Sequence, residues 1–262
     1  MDTYQIIILA LIQGLTEFLP VSSSAHLILV SQLLGWNNEG LVLDVATHFG
    51  TLLAVVFYFR KDLQALIYAW LRPDLSTAVD RRMGLLLLIG SLPGLYIGWM
   101  EAEWVQENLR SIEVIAWATI GFGVLLWIAD RWGGTRHELE ELTKTQALLV
   151  GMAQVLALIP GTSRSGITIT AGRFLGMTRA TAARFSFLLA IPILGAAGSY
   201  GAMQVWQGQT IISAADFLLA AGVAAVAGFT CIWAFLRLLE KAGFLPFIIY
   251  RLVLGFLLLS LI

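Results

Sequence analysis

Apolar residues run through this chain in long blocks, each bounded by charges or turn residues. A helix needs about 20 such residues to cross a hydrocarbon core of about 30 Å. Six blocks meet that rule, over 41–59, 83–100, 113–130, 182–203, 215–236 and 245–262, and each predicts a transmembrane helix. Arg60-Lys61-Asp62, Glu101-Ala102-Glu103, Asp130-Arg131-Trp132 and Glu240-Lys241 mark their ends.

Two further apolar stretches are interrupted. Residues 4–34 read as a helix, a break at Pro20-Val21-Ser22-Ser23-Ser24, and a short helix ending at Gly35. Residues 144–175 repeat the pattern around Pro160-Gly161-Thr162-Ser163-Arg164-Ser165-Gly166, with Gly176 closing the second helix. Each half is too short to span, and a polar break is tolerated at membrane depth only where protein buries it or water reaches it. Two re-entrant helical hairpins are therefore expected.

Pro20 and Pro160 open the two breaks, and Leu34-Gly35 matches Leu175-Gly176. The spacing predicts internal repeats over approximately 1–130 and 144–262, within a single membrane domain covering 1–262. Each half then holds one hairpin and three spans. Three is odd, so the second half enters the membrane inverted, an arrangement common in transporters.

The fold class expected is thus all-α and integral to a membrane. Composition agrees: 58% of residues are hydrophobic and only 13% charged, against about 25% charged in a typical globular chain. That balance excludes an ordinary soluble enzyme and a disordered chain, and a net charge of -1 gives no general attraction to nucleic acid. Residues 1–12 lack a positive n-region, so no signal peptide is expected. Cys231 is the only cysteine and cannot form an internal disulfide.

Charge placement sets orientation. Under the expected topology one face collects Arg60, Lys61, Arg72, Arg81, Arg82, Arg131, Arg136, Lys144, Arg173, Arg179, Arg184, Arg237 and Lys241, thirteen of sixteen basic residues. The other face has Arg110, while Arg164 and Arg251 lie in membrane segments. Positive charge stays inside, so both termini are expected outside.

Ionisable groups at membrane depth are functional candidates, because burying them in hydrocarbon is costly. The first hairpin holds Glu17 and His26, with Gln13, Ser22, Ser23 and Ser24. Gln13 and Glu17 share a helix face by their spacing of four. The serines precede a helix whose free N–H groups favour an anion, and His26 lies within its first turn. The second hairpin supplies Ser163, Arg164, Ser165 and Thr168, again at a helix N-terminus. Arg164 offers a permanently charged fork suited to phosphate and has no obvious acidic neighbour along the chain. His48, inside the first full span, is a secondary candidate beside Gln13; Asp44 and Arg60 read as span-end residues. The combined site suits an anionic headgroup on a lipid, such as a pyrophosphate on an isoprenoid chain.

Gln13-Gly14-Leu15-Thr16-Glu17-Phe18-Leu19-Pro20-Val21-Ser22-Ser23-Ser24-Ala25-His26 resembles the first signature of the undecaprenyl-pyrophosphate phosphatases, the bacitracin-resistance family. Pro160-Gly161-Thr162-Ser163-Arg164-Ser165-Gly166-Ile167-Thr168 matches the second, PGxSRSxxT, and Pro246-Phe247-Ile248-Ile249-Tyr250-Arg251 resembles the family's last helix. The resemblance implies a phosphatase of the bacterial inner membrane that converts undecaprenyl pyrophosphate to undecaprenyl phosphate, recycling the carrier lipid of cell-wall synthesis. It also implies a divalent cation, Mg²⁺ or Ca²⁺, and a site open to the periplasmic face. Many members carry Glu where this chain has Gln13, so a metal here would lean on Glu17 and on substrate phosphate.

On that footing Glu17 binds the cation or steers a proton. Ser23 is a candidate nucleophile with His26 as its base, although His26 or water could attack phosphorus instead. Ser22, Ser24, Ser163, Ser165 and Thr168 would hold phosphate oxygens, and Arg164 would stabilise the developing charge. Expected partners are the polyprenyl pyrophosphate lipid and the bilayer, with a second copy of the chain as a candidate homodimer partner. A transporter or flippase of a lipid phosphate is the competing reading, since inverted repeats also serve alternating access.

Overall fold

A computed structural model describes residues 2–36, 41–134, 137–206 and 213–262. Among them the chain is helical, and its one β feature is an isolated bridge between His137 and Met177. The first half holds α1 (Thr3–Thr16), α2 (Ser23–Leu34), α3 (Leu41–Tyr58), α4 (Arg60–Leu71), α5 (Ala78–Asn108) and α6 (Ile112–Trp132). The second holds α7 (Lys144–Val155), α8 (Arg164–Phe174), α9 (Arg179–Trp206), α10 (Ala214–Ala242) and α11 (Leu245–Leu259). Hydroxyl caps start several of these helices. Ser111, Thr143 and Ser213 accept from backbone N–H groups of α6, α7 and α10, satisfying donors that a helix leaves free.

Four helices are long and apolar enough to cross a membrane: α5, α6, α9 and α10, the first and third through their segments Ala78–Glu101 and Arg179–Ser199. The number rises to five if α3 and α4, bent by 75°, count as one broken span. The count therefore falls below the six expected from sequence. The last expected span, 245–262, forms a helix of only 15 residues, or about 22 Å at 1.5 Å per residue. Arg60-Lys61-Asp62 also behave differently from expectation. They bend the chain into α4, an amphipathic helix that buries Leu66 and Ala69. The two interrupted stretches do form helix, break, helix: α1 with α2, and α7 with α8.

Packing interleaves the two halves. Helix α10 lies against α1 and α3, and α5 lies against α7 and α9. Small residues permit these approaches. A Cβ added at Gly14 would stand 2.6 Å from that of Ala227, and one at Gly151 would strike the carbonyl of Gly90. Phe18, Phe187, Phe235 and Phe247 interlock at the centre. Outward, Leu88, Leu92, Trp99, Val253 and Phe256 are exposed, the surface expected of helices that face lipid.

The backbone repeats with a constant offset between its halves. Helices α1 and α7 begin at Thr3 and Lys144, and α2 and α8 begin at Ser23 and Arg164. Left-handed residues recur at the same spacing, Ser22 (φ 72°) with Ser163 (φ 70°), and Gly35 (φ 64°) with Gly176 (φ 87°). The two serines are the only non-glycine residues with positive φ among those described. Such a conformation is costly for a residue with a Cβ, and it places each serine immediately before a helix N-terminus.

Candidate active site

Both left-handed serines stand at the end of a break, just before a helix begins, and the two breaks are tied together. Ser165 Oγ donates to the Leu19 carbonyl at 2.8 Å, and Gly161 N–H donates to Ser24 Oγ at 3.3 Å. Ser163 Oγ accepts from Gly166 N–H at 3.1 Å and so caps α8. Arg251, on α11, completes the joint. Its fully buried guanidinium donates to the carbonyls of Thr119 (3.0 Å), Pro20 (3.3 Å), Gly161 (3.1 Å) and Thr162 (2.9 Å). One cation thereby collects carbonyls from α6 and from both breaks. Sequence reading placed Arg251 in a membrane segment and gave it no task. A lone arginine inside an apolar final helix was the available signal.

Across this joint lies an ion pair that sequence spacing did not suggest. Arg164 Nη2 meets Glu17 Oε1 at 2.9 Å, with both side chains nearly buried. Arg164 Nη1 donates to the Ser186 carbonyl at 3.3 Å. The other carboxylate oxygen, Glu17 Oε2, accepts from Gln13 Nε2 at 2.8 Å and from Ser23 Oγ at 3.2 Å. Glu17 therefore binds a hydroxyl from its own hairpin and a guanidinium from the other.

These groups line a cavity of about 270 Å³. Glu17, Ser22, Ser23, Ser24, His48, Gln154, Ser163 and Arg164 form its polar side, while Leu158, Ile193, Leu194 and Ala197 form an apolar flank. An adjoining cavity of about 780 Å³ shares Ser23, Ser24 and His48, and extends to Asp44 and Arg110. The N-termini of α2 and α8 both border the smaller cavity, so the positive ends of two helix dipoles favour an anion within it.

The two imidazoles exchange the places expected of them. His26 Nδ1–H donates to the Ser22 carbonyl at 2.7 Å, leaving Nε2 to accept from the Tyr250 hydroxyl at 2.6 Å. Both nitrogens are engaged, Ser23 is bonded to Glu17 instead, and His26 lines neither cavity described above. His48 lines both. Its Nδ1–H donates to the Asp44 carbonyl at 2.7 Å, so Nε2 accepts from Gln13 at 3.3 Å. Asp44, read as a span-end residue, borders the larger cavity.

Other expected phosphate ligands turn elsewhere. Thr168 is buried and bonds the Arg164 carbonyl at 2.9 Å and Ser186 Oγ at 2.7 Å, bracing α8 on α9. Ser165 is buried at the joint between hairpins and lines neither cavity. Arg173, counted with the loop charges, is instead 2% exposed and bonds the Gly134 carbonyl at 2.7 Å beside Asp130.

No group of three or more His, Cys, Asp or Glu suited to a metal occurs among the described residues. The oxygen donors beside Arg164 are the Glu17 carboxylate, hydroxyls and the buried, unpartnered Oε1 atoms of Gln13 and Gln154, with Asp44 farther off on the adjoining cavity. Such oxygens fit a hard cation that arrives on phosphate, since Mg²⁺ commonly takes one or two carboxylates plus substrate oxygens. They do not form a protein-only cage.

Comparison with known proteins identifies the family. The family model described as bacitracin resistance protein BacA matches residues 6–257. The undecaprenyl-diphosphatase of Hahella chejuensis is 49% identical, the alignment covering 97% of this chain and 96% of that protein. Undecaprenyl-diphosphatase 1 of Pseudoalteromonas translucida is 47% identical, over 97% of both chains. Undecaprenyl-diphosphatase 2 of Stutzerimonas stutzeri is 48% identical, over 100% of this chain and 98% of its own. With matches of this length, and the two hairpin signatures meeting at one cavity, the chain belongs to the bacitracin resistance protein BacA family.

Proposed function

We propose that this protein is a membrane phosphatase that hydrolyses undecaprenyl pyrophosphate to undecaprenyl phosphate and inorganic phosphate. Such a reaction recycles the carrier lipid for cell-wall synthesis and confers bacitracin resistance. The relatives' names support the substrate. The observation that carries the chemistry is Glu17, bonded at once to the Ser23 hydroxyl and to Arg164 beside a cavity with an apolar flank.

In this reading the pyrophosphate draws Arg164 onto its oxygens, which loosens the guanidinium's hold on Glu17 and leaves the carboxylate to take the Ser23 proton. Ser23 Oγ attacks the terminal phosphorus while its proton passes to Glu17 Oε2. The phosphorus–oxygen bond to the lipid phosphate breaks, and its charge develops against Arg164 and the helix N-termini. Water then attacks the phosphoserine, Oγ regains the proton from Glu17, and the water's own proton leaves on inorganic phosphate. His26 holds the turn at Ser22 in this scheme rather than acting as base. Glu17 and Gln13 would hold a divalent cation carried by the substrate, whose chemistry is to neutralise pyrophosphate charge.

For the membrane arrangement we propose six crossing segments, α3, α5, α6, α9, α10 and α11, with the two hairpins re-entrant from opposite faces. The constant offset between the halves supports inverted repeats, and the thirteen-to-one division of basic residues supports external termini. Helix α11 is short, a mismatch that bilayers accommodate by local thinning. Arg110, the basic residue on the sparse side, borders the larger cavity, which supports entry of the lipid headgroup from the outer face. A transporter would give the Ser23–Glu17 bond no task, and the relatives are phosphatases by name. Purified protein in detergent should release phosphate from undecaprenyl pyrophosphate, a setting in which transport between leaflets is impossible. Absence of release there would refute the proposal.

A further inference from the structure

Gln154, on α7, is only 3% exposed, and neither its Oε1 nor its Nε2 has a hydrogen-bond partner. It nevertheless lines the same cavity as Glu17, Ser23 and Arg164. A buried primary amide with both ends unpartnered is expensive, and native structures rarely keep one without a use. Its position is also not arbitrary. Gln154 follows Gln13 by the same offset that relates Ser163 to Ser22 and Gly176 to Gly35. The counterpart Gln13 spends its amide N–H groups on Glu17 and His48. Leu158 occupies the position that Glu17 holds in the first half, so Gln154 has no carboxylate to hold. Space for it comes from Gly94 of α5, where an added Cβ would stand 2.8 Å from Gln154 Nε2.

We infer that Gln154 is a phosphate-binding residue of this site, its Nε2–H donating to a pyrophosphate oxygen on the wall contributed by the second half. The inference rests on the phosphatase reading and adds to it a ligand that neither hairpin signature contains. A neutral donor on the second half suits this place. Arg164 already supplies the cation, and an amide grips oxygen without forming a second ion pair that must be broken on product release.

The test compares Gln154→Met with the wild type for phosphate release from undecaprenyl pyrophosphate in detergent. Methionine keeps the length and removes both polar atoms, so kcat/KM should fall about tenfold to hundredfold, the range for one hydrogen bond to a charged group. KM should carry most of that loss, because the bond is made to substrate as well as to transition state. Thermal stability in detergent should be unchanged or higher, since an unpartnered buried amide has been removed. Should the methionine variant not fold, Gln154→Asn carries the test; it retains the amide but withdraws it by one carbon, and about a tenfold loss is expected. A wild type that releases no phosphate removes the phosphatase reading and this inference together. A competent wild type beside a fully active Gln154→Met or Gln154→Asn overturns this inference alone.

Discussion

The two hairpins share a backbone and divide the chemistry. At matching positions they keep the left-handed serine, the helix that follows and the glycine that closes it. They keep the glutamine as well, at Gln13 and Gln154. They differ where reaction is concerned: Glu17 stands opposite Leu158, Ser23 opposite Arg164 and His26 opposite Ile167. The first hairpin thus holds the carboxylate and the hydroxyl, and the second holds the cation. Two matching turns form an asymmetric site, with a carboxylate and hydroxyl meeting on one copy and a guanidinium reaching across from the other. Glu17 joins the copies, because its two oxygens reach into both.

That division can be broken from either side. The largest effect is expected at Glu17. Glu17→Gln preserves shape but removes the base and leaves Arg164 without its counter-charge, so phosphate release should fall by roughly 10³ or more. Denaturation in detergent should show a stability loss of up to about 3–5 kcal/mol, the range for removing one partner of a buried pair. Arg164→Lys comes next. It retains charge and loses the planar fork, and turnover should drop well beyond tenfold while the protein still elutes as a single species. Near-normal activity in the lysine variant would sink the assignment of charge stabilisation to the second hairpin.

His26 sharpens the comparison, because its role distinguishes a base from a brace. If it braces the Ser22 turn, His26→Ala should be severely impaired. His26→Asn, whose amide can still donate to the Ser22 carbonyl, should recover a measurable part of the rate. A general base would permit no such recovery. Tyr250→Phe, which removes only the far hydrogen bond, should cost about 1 kcal/mol of stability and little turnover. At the joint itself the effect is expected mainly in stability. Ser165→Ala deletes one bond to the Leu19 carbonyl and should lower stability by about 1–3 kcal/mol, with activity reduced only a few-fold. A collapse of activity in Ser165→Ala with stability intact would instead return that hydroxyl to the phosphate.

Much of this was legible along the chain because polar residues are costly in an apolar segment. Glu17, Ser23 and Arg164 announced themselves by type and by their place beside breaks. Their partners did not. Glu17 and Arg164 belong to different halves of the sequence, and only the approach of the two turns brings them to 2.9 Å. The first-turn position of His26 equally allowed contact with Ser23, and packing against Tyr250, far along the chain on α11, decided the matter. Thr168 looked like a phosphate ligand, yet a hydroxyl inside a helix readily bonds the carbonyl four residues back, as it does here. Helix α4 was missed because a charged triplet reads as a stop, whereas in the fold it is a bend. Orientation rests on loop charge and is open to direct test: a cysteine at Leu75 or Glu240 should resist impermeant labelling from outside, and one at Gly208, which lies beyond the described residues, should react.

In the proposed mechanism a serine from the first hairpin attacks phosphorus while Glu17 holds its proton and Arg164 receives the charge. Initial rates of phosphate release from undecaprenyl pyrophosphate, measured on purified wild-type and Ser23→Ala protein in detergent, test it most directly. Brisk release is expected from the wild type, with a loss of about 10³-fold or more in the alanine variant, which should still fold and bind substrate. Release by Ser23→Ala at a near-normal rate would contradict it and leave attack by His26 or by water in its place.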